Sequence, residues 1–440
     1  MNSTEITEYK VYGYRWVVLL LFGMVTLINQ IIWITFAAIT PKAMVFYGQS
    51  KNAIFWLSLV FMIVYLPMNI PAALALDKFG LKWGVGIGVV LTGVFGILRA
   101  VSTQYYLVLI FQIGCAIGQP FLLNSFTKVS SNWFRAEEKA LATSLGTAFI
   151  LIGVLLGMLI TPFLVPGTSL TTMLYIYGGI ALSLMVFYLI FVKDKPPTPA
   201  NAYSDHTKVF ETKGTFSLFK NKDFNILFIL FLFGAGTFNA VSSVMAEVFE
   251  SIFEIPQSII DSTGMSADDF LGILGGTMIV GGIAGAIILS SISDKIRKRK
   301  PFLIMNAISG AVLTMLFFVF EYLYVHGIIT SFFTVYIIHC VLGFLFGFLL
   351  ISALPIGLTF AAEITYPMPE ETSNGWLMWV GQLGGIALIF TVMFGIYNPL
   401  GKGVVESVAV WNFVIYAAIL AIAAILSFFM NDLDKYELKQ

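Results

Sequence analysis

Apolar stretches of about 20 or more residues recur along the chain from Trp16 to Met430, parted by short polar breaks. A helix rises about 1.5 Å per residue, so roughly 20 such residues cross about 30 Å of hydrocarbon. The pattern predicts spans at 16–44, 54–76, 83–103, 105–127, 141–164, 170–192, 224–249, 271–292, 301–325, 330–360, 374–397 and 406–430. Spans three and four are nearly continuous, and Thr103-Gln104 is their only break. The expected fold class is therefore an all-α membrane protein of twelve transmembrane helices.

Composition narrows the picture. Of the 440 residues, 58% are hydrophobic and only 11% charged, where a soluble domain of this length needs far more polar surface. A net charge of zero argues against a nucleic-acid partner. Both cysteines, Cys115 and Cys340, lie inside apolar runs, so neither a disulfide framework nor a metal cluster is expected. The N-terminal segment is short and polar and precedes a span too long for a signal-peptide core, so no cleaved leader is expected.

Charge orders the loops. Twenty of the 24 Lys and Arg fall at the two ends of the chain and in the loops that lead from even to odd spans. The opposite side holds Lys42, Lys51, Arg99 and Lys402. By the positive-inside rule both termini are expected in the cytoplasm, and a miscounted span would scramble the bias. Residues 193–223 hold Pro196, Pro197, Pro199 and several lysines, the make-up of a cytoplasmic linker. They divide the chain into an N-terminal bundle, 1–192, and a C-terminal bundle, 224–440, each of six helices.

The halves share features. Asp77-Lys78 closes span two and is followed by Gly80 and Lys82; Asp294-Lys295 closes span eight and is followed by Arg297, Lys298 and Arg299. The loop Asp77-Lys78-Phe79-Gly80-Leu81-Lys82 resembles the cytoplasmic loop motif of the major facilitator superfamily. The resemblance implies a major facilitator fold of two pseudo-symmetric bundles. It also implies gating roles for Asp77, Lys78, Gly80, Asp294 and Glu363. Asp77 is then expected near the start of helix 11, at Ser373 and Asn374, where a helix N-terminus carries partial positive charge.

Further stretches resemble solute carrier family 49, the feline leukaemia virus subgroup C receptor (FLVCR) group. They are Asn29-Gln30-Ile31-Ile32-Trp33, the run from Trp56 to Pro67, Gly118-Gln119-Pro120-Phe121, and the segment from Leu354 through Glu363 and Gly375 to Gln382. The resemblance implies a facilitator of choline, ethanolamine or a similar small organic cation; haem has also been linked to the group. It implies that Trp33 and Gln382 hold the cationic headgroup. Asn239 stands where the group carries a Tyr, Leu151 where it carries a Gln, and Thr359 where it carries an acid. The protein is expected as a monomer in the plasma membrane, with lipid and a small solute as its partners and with no cofactor.

Polar and aromatic side chains within spans are the candidate solute contacts, because unpaired polar groups in hydrocarbon are costly. They are Asn29, Gln30, Trp33, Tyr65, Gln112, Gln119, Asn124, Asn239, Gln382 and Asn412. A Trp face attracts a quaternary ammonium, and Gln382 and Gln119 can orient a hydroxyl or carbonyl. Packing for Trp33, and helix–helix hydrogen bonding for each Asn and Gln, are the competing readings. No Asp or Glu is expected at the middle of a span, and His339 is the one histidine within a span. Facilitated diffusion is therefore favoured over proton coupling, with a proton-coupled metabolite or drug transporter as the alternative and a non-transporting membrane receptor as a third class. Catalysis finds no support: the chain has no Gly-x-Ser-x-Gly elbow, phosphate-binding loop or His/Cys ligand cluster.

The topology is checked by cysteine reporters at Lys208 and Lys402 in a background lacking Cys115 and Cys340. In sealed vesicles an impermeant thiol reagent should reach the two from opposite faces. Labelling from one face would break the span count.

Overall fold

The computed structural model describes residues 10–135, 138–167, 169–200, 215–252, 257–265, 267–366, 370–396 and 402–432, with Ile255 and Met368. Every regular element among them is a helix. In the first half of the chain they are α1 (Arg15–Ile34), α2 (Thr40–Tyr47), α3 (Lys51–Gly80), α4 (Gly86–Leu98), α5 (Tyr105–Leu123), α6 (Phe126–Trp133), α7 (Lys139–Gly167) and α8 (Leu170–Phe191). In the second they are α9 (Lys222–Ile252), α10 (Gln257–Thr263), α11 (Ala267–Ile296), α12 (Lys300–Val325), α13 (Phe332–Leu350), α14 (Ala353–Thr365), α15 (Glu370–Ile396) and α16 (Lys402–Phe428). Eight stretches of the described residues are long and apolar enough to cross a bilayer, and two of them, Lys51–Leu98 and Phe332–Thr365, each contain more than one helix.

Serines start several of these helices. Ser50, Ser169 and Ser331 accept hydrogen bonds from the backbone N–H of Ala53, Thr172 and Thr334, at 3.4, 3.1 and 3.4 Å, so each covers a donor that the first turn leaves open. Two predicted single spans are broken. The run 16–44 divides into α1, a short 3-10 turn at Ala37–Ile39, and α2. The run 330–360 divides between α13 and α14. A proline stands just past each break, Pro41 and Pro355, and its missing N–H cannot bond the carbonyl four residues back. Hydropathy does not register these breaks, because the side chains around them remain apolar.

Neighbouring helices pair as α15 with α9, α11 with α13, α12 with α16, α4 with α8, and α1 with α7. Contacts between the first and second halves of the chain run along α7 against α11 and α3 against α15. Helix α11 crosses α13 at backbone distance. A Cβ added at Gly347 would overlap the Met278 carbonyl oxygen, and one at Gly281 would overlap that of Phe344. Small residues let backbones meet where lipid supplies no hydrophobic drive between helices.

Gly347→Val should therefore lower stability by about 1–3 kcal/mol, the usual cost of overpacking. Thermal unfolding of the purified protein in detergent would show it; an unchanged midpoint would mean that the crossing is looser than described.

Candidate functional site

A cavity of about 130 Å³ lies between α1, α5 and α7 from the first half and α9, α12, α13, α14, α15 and α16 from the second. Its lining is mostly aliphatic and aromatic. The polar exceptions are Gln30, Gln119, Asn239, Asn306 and Gln382, with the indole of Trp33. No Asp, Glu, Lys, Arg or His is among the described lining residues.

Each polar side chain is held differently. Trp33 Nε1 donates to the Ser58 carbonyl oxygen at 3.2 Å, which pins the indole to α3. Asn239 Nδ2 donates to the Gly381 carbonyl oxygen at 3.4 Å, and Gln30 Nε2 reaches Asn29 Oδ1 at 3.5 Å. Asn306 fills the break between α13 and α14. In the amide orientation that satisfies both of its ends, its nitrogen donates to the Leu349 carbonyl at 3.0 Å and its oxygen accepts from the Ala353 N–H at 3.1 Å. The carboxamides of Gln119 and Gln382 line the cavity without a protein hydrogen bond of their own, which leaves their donors and acceptors for a solute.

Asn29 and Tyr65, both candidate solute contacts, lie outside the lining and spend their polar atoms between helices. Asn29 Nδ2 donates to Thr92 Oγ1 at 3.0 Å and to the Cys115 carbonyl at 3.4 Å, joining α1 to α4 and α5. Tyr65 Oη donates to Asn124 Oδ1 at 3.1 Å. Asn124 Nδ2 donates to Asn69 Oδ1 at 2.7 Å, and Asn69 Nδ2 donates to the Gly375 carbonyl at 3.3 Å. That chain crosses from the first half to the second. Beside it Trp379 Nε1 donates to the Leu66 carbonyl at 3.0 Å. Gln112 is likewise taken up, by Arg99 and by the carbonyls of Ile32 and Leu57. The side chain of Asn412 lies outside the described residues.

The described contacts of the loop residues lie within their own halves. Asp77 Oδ1 accepts from Lys128 Nζ at 3.2 Å. Lys78 is exposed, its ammonium 5.3 Å from the Phe79 ring centroid. Gly80 has φ +74°, and a Cβ there would strike the Asp194 carboxylate. That carboxylate accepts from the backbone N–H groups of Leu81 and Lys82. Glu363 takes both prongs of Arg299, from Nη2 at 2.9 Å and Nε at 3.2 Å. The Asp294 side chain lies outside the described residues.

Sequence reasoning overlooked Asn306, Asp194 and Arg299. A lone Asn in an apolar span was the available signal for the first; the other two sit in ordinary polar loops. Glu321 also departs from expectation. It lies toward the end of its helix as predicted, yet it is fully buried, with its carboxylate 3.8 Å from Nε2 of the equally buried His339. Neither residue lines the cavity.

The profile described as Major Facilitator Superfamily matches residues 18–385. The chain belongs to the major facilitator superfamily. Within it, the choline/ethanolamine transporter FLVCR2 of Rattus norvegicus is 30% identical over 412 residues, covering 89% of this chain and 70% of that protein. FLVCR2 of Homo sapiens is 29% identical over 412 residues, with 89% and 73% covered. The choline/ethanolamine transporter FLVCR1 of Felis catus is 30% identical over 401 residues, with 87% and 67% covered. Among solved structures, a bacterial homologue of the human lysosomal transporter Spinster, in an inward-facing and unoccupied conformation, superposes with TM-score 0.68 at 13% identity. The match covers 98% of this chain and 99% of that one. The nucleoside transporter NupG superposes with TM-score 0.65 at 16% identity, covering 94% and 99%. Both likenesses concern the fold. Major facilitator proteins are multi-pass membrane transporters, not enzymes, and this chain is a transporter of that family and a homologue of the FLVCR proteins.

Asn69→Ala should open the seam between α3 and α15. Losing one net hydrogen bond of about 1 kcal/mol shifts a two-state balance about fivefold. The readout is the labelling rate of a cysteine placed at Ala307, inside the cavity; an unchanged rate would remove the seam from the gate.

Proposed function

We propose that the protein is a facilitator of a small organic cation, choline or ethanolamine, working by alternating access. One observation carries the reading: an uncharged cavity lined by an indole and by two carboxamides with no protein partner. Its size supports a small solute. A cavity of about 150 Å³ accepts one benzene, so 130 Å³ suits about half a dozen heavy atoms. Choline and ethanolamine are of that size. An aromatic face attracts a quaternary ammonium, and amide oxygens add their negative ends. No cationic residue among the described lining opposes them. The names of the FLVCR relatives point to the same chemistry.

The architecture that supports this function has twelve spans in two six-helix bundles, 1–192 and 224–440, joined by the linker 193–223. Both termini face the cytoplasm of a plasma-membrane monomer. The bundles rock about the cavity, and the seam of α3 with α15 opens and closes one entrance. Asp77, near the terminus-bearing end of α3, gates by approaching the start of α15, with Lys78, Gly80, Asp294 and Glu363 shaping the loops. Membrane potential alone would drive a monovalent cation by about 2.3 kcal/mol per 100 mV.

Proton coupling is the second reading, favoured by the buried Glu321–His339 pair. Ionisable groups buried inside a membrane helix bundle are characteristic of proton relays.

Uptake of labelled choline into proteoliposomes, with and without potential and pH gradients, separates the two. Trp33→Ala should weaken choline affinity about 30-fold, the equivalent of a desolvated cation–π contact of about 2 kcal/mol. Gln382→Ala should weaken it less. Undiminished choline transport in Trp33→Ala would remove the site, and uptake driven by a pH gradient alone would replace facilitation with proton coupling.

A further inference from the structure

Arg99 closes α4 and is fully buried, one of the largest side chains with essentially no exposure. Its Nη1 donates to Gln112 Oε1 at 2.9 Å and to the Ile32 carbonyl at 3.4 Å. Both acceptors are uncharged. Its Nε and Nη2 are buried and have no hydrogen-bond partner. Those two nitrogens form the forked edge of a guanidinium, the edge that grips a carboxylate or other anion with two parallel N–H bonds. No carboxylate among the described residues pairs with Arg99.

A second donor stands beside it. The hydroxyl of Tyr47 is also buried and without a partner. The Tyr47 ring centroid lies 6.1 Å from that of Phe36, and the Arg99 guanidinium carbon lies 5.9 Å from the same ring. Tyr47, Cys115 and Tyr177 are near enough to feel the charge of Arg99, and none of them is an acid that carries a negative charge at neutral pH. A buried cation without a counter-charge is among the most costly arrangements in a protein interior. Buried donors without a protein acceptor are also rare.

We infer that Arg99 and Tyr47 form a binding site for a small monovalent anion, either a halide or a small oxyanion such as bicarbonate. The anion accepts from Nε and Nη2 of Arg99 and from the Tyr47 hydroxyl, while Phe36 walls the site. The site is separate from the solute cavity, whose lining contains neither residue. It is nevertheless coupled to the cavity. Arg99 and Gln112 both hold the Ile32 carbonyl, at the residue before Trp33, and Gln112 also holds the Leu57 carbonyl, at the residue before the Ser58 that anchors the indole. An anion here neutralises the one bare positive charge on this anchor, so a cation at Trp33 is no longer repelled. This last consequence rests on the cation reading of the cavity; the anion site does not.

The test begins with the intact purified protein in detergent. Its thermal unfolding is followed in sodium chloride and in sodium gluconate of equal ionic strength, with bicarbonate and nitrate as further arms. Chloride or a small oxyanion should raise the midpoint saturably, as a ligand bound to the folded state must, and gluconate should not. Tyr47→Phe should raise the half-saturating concentration about threefold or more, the effect of one hydrogen bond. Arg99→Gln should abolish the response. A response to bicarbonate and nitrate without chloride would assign the site to an oxyanion, and the reverse to a halide. Equal midpoints in all four salts would overturn the inference, as would a chloride shift that survives intact in Tyr47→Phe. Choline uptake in chloride and in gluconate is measured separately: an anion-dependent midpoint with no choline uptake at all would keep this site and remove only the cation reading.

Discussion

Lipid offers no hydrogen bonds, and most of this molecule is organised by that fact. Helices satisfy their own backbones, and polar side chains within them must find partners on neighbouring helices. Asn29 reaches Thr92 and the Cys115 carbonyl; Gln112 spans Arg99, Ile32 and Leu57; Asn124 joins Tyr65 to Asn69. Once these are paired, the side chains left over acquire meaning. Gln119 and Gln382 face the cavity with amides not engaged elsewhere, and Arg99 keeps its forked edge unused.

The same constraint shapes the moving parts. At the two chain breaks, Pro41 and Pro355 cannot bond the carbonyls of Ala37 and Ile351, and at the second break Asn306 bridges the Leu349 carbonyl and the Ala353 N–H. Between the halves of the chain the seam is made of side-chain donors on backbone carbonyls, Asn69 on Gly375 and Trp379 on Leu66. Such bonds are few and individually modest, so they can be broken and remade without disturbing the helices that carry them. The glycine-lined crossing of α11 with α13 is a different kind of contact: backbones there touch directly, and the pair is suited to move as a unit.

Charges at the helix ends serve anchorage. Asp77 pairs with Lys128 in the first half of the chain and Glu363 with Arg299 in the second, with the order of acid and base along the chain reversed. Asp194 then secures the turn after α3 by accepting two backbone N–H groups, in the space that the missing Cβ of Gly80 leaves open.

Hydropathy was enough to make the protein an all-helical membrane protein, because lipid imposes a length and a composition on every crossing, and these are written locally. The Asp77–Lys82 motif and the Trp33 and Gln382 segments were legible for the same reason: each is a short run whose chemistry does not depend on distant residues. Which polar side chains face the cavity was legible only in part: Gln30, Trp33, Gln119, Asn239 and Gln382 do, while Asn29 and Tyr65 do not. Asn29 and Gln30 are sequence neighbours with equal polarity, yet one ties helices together and the other lines the cavity, since successive residues of a helix point about 100° apart. The fully buried Arg99, placed at the outer end of the span 83–103, and Glu321, near a helix end, show the same limit. Position along a span measures depth in the membrane; only the packing of other helices decides whether a side chain at that depth meets lipid, water, a solute or another side chain.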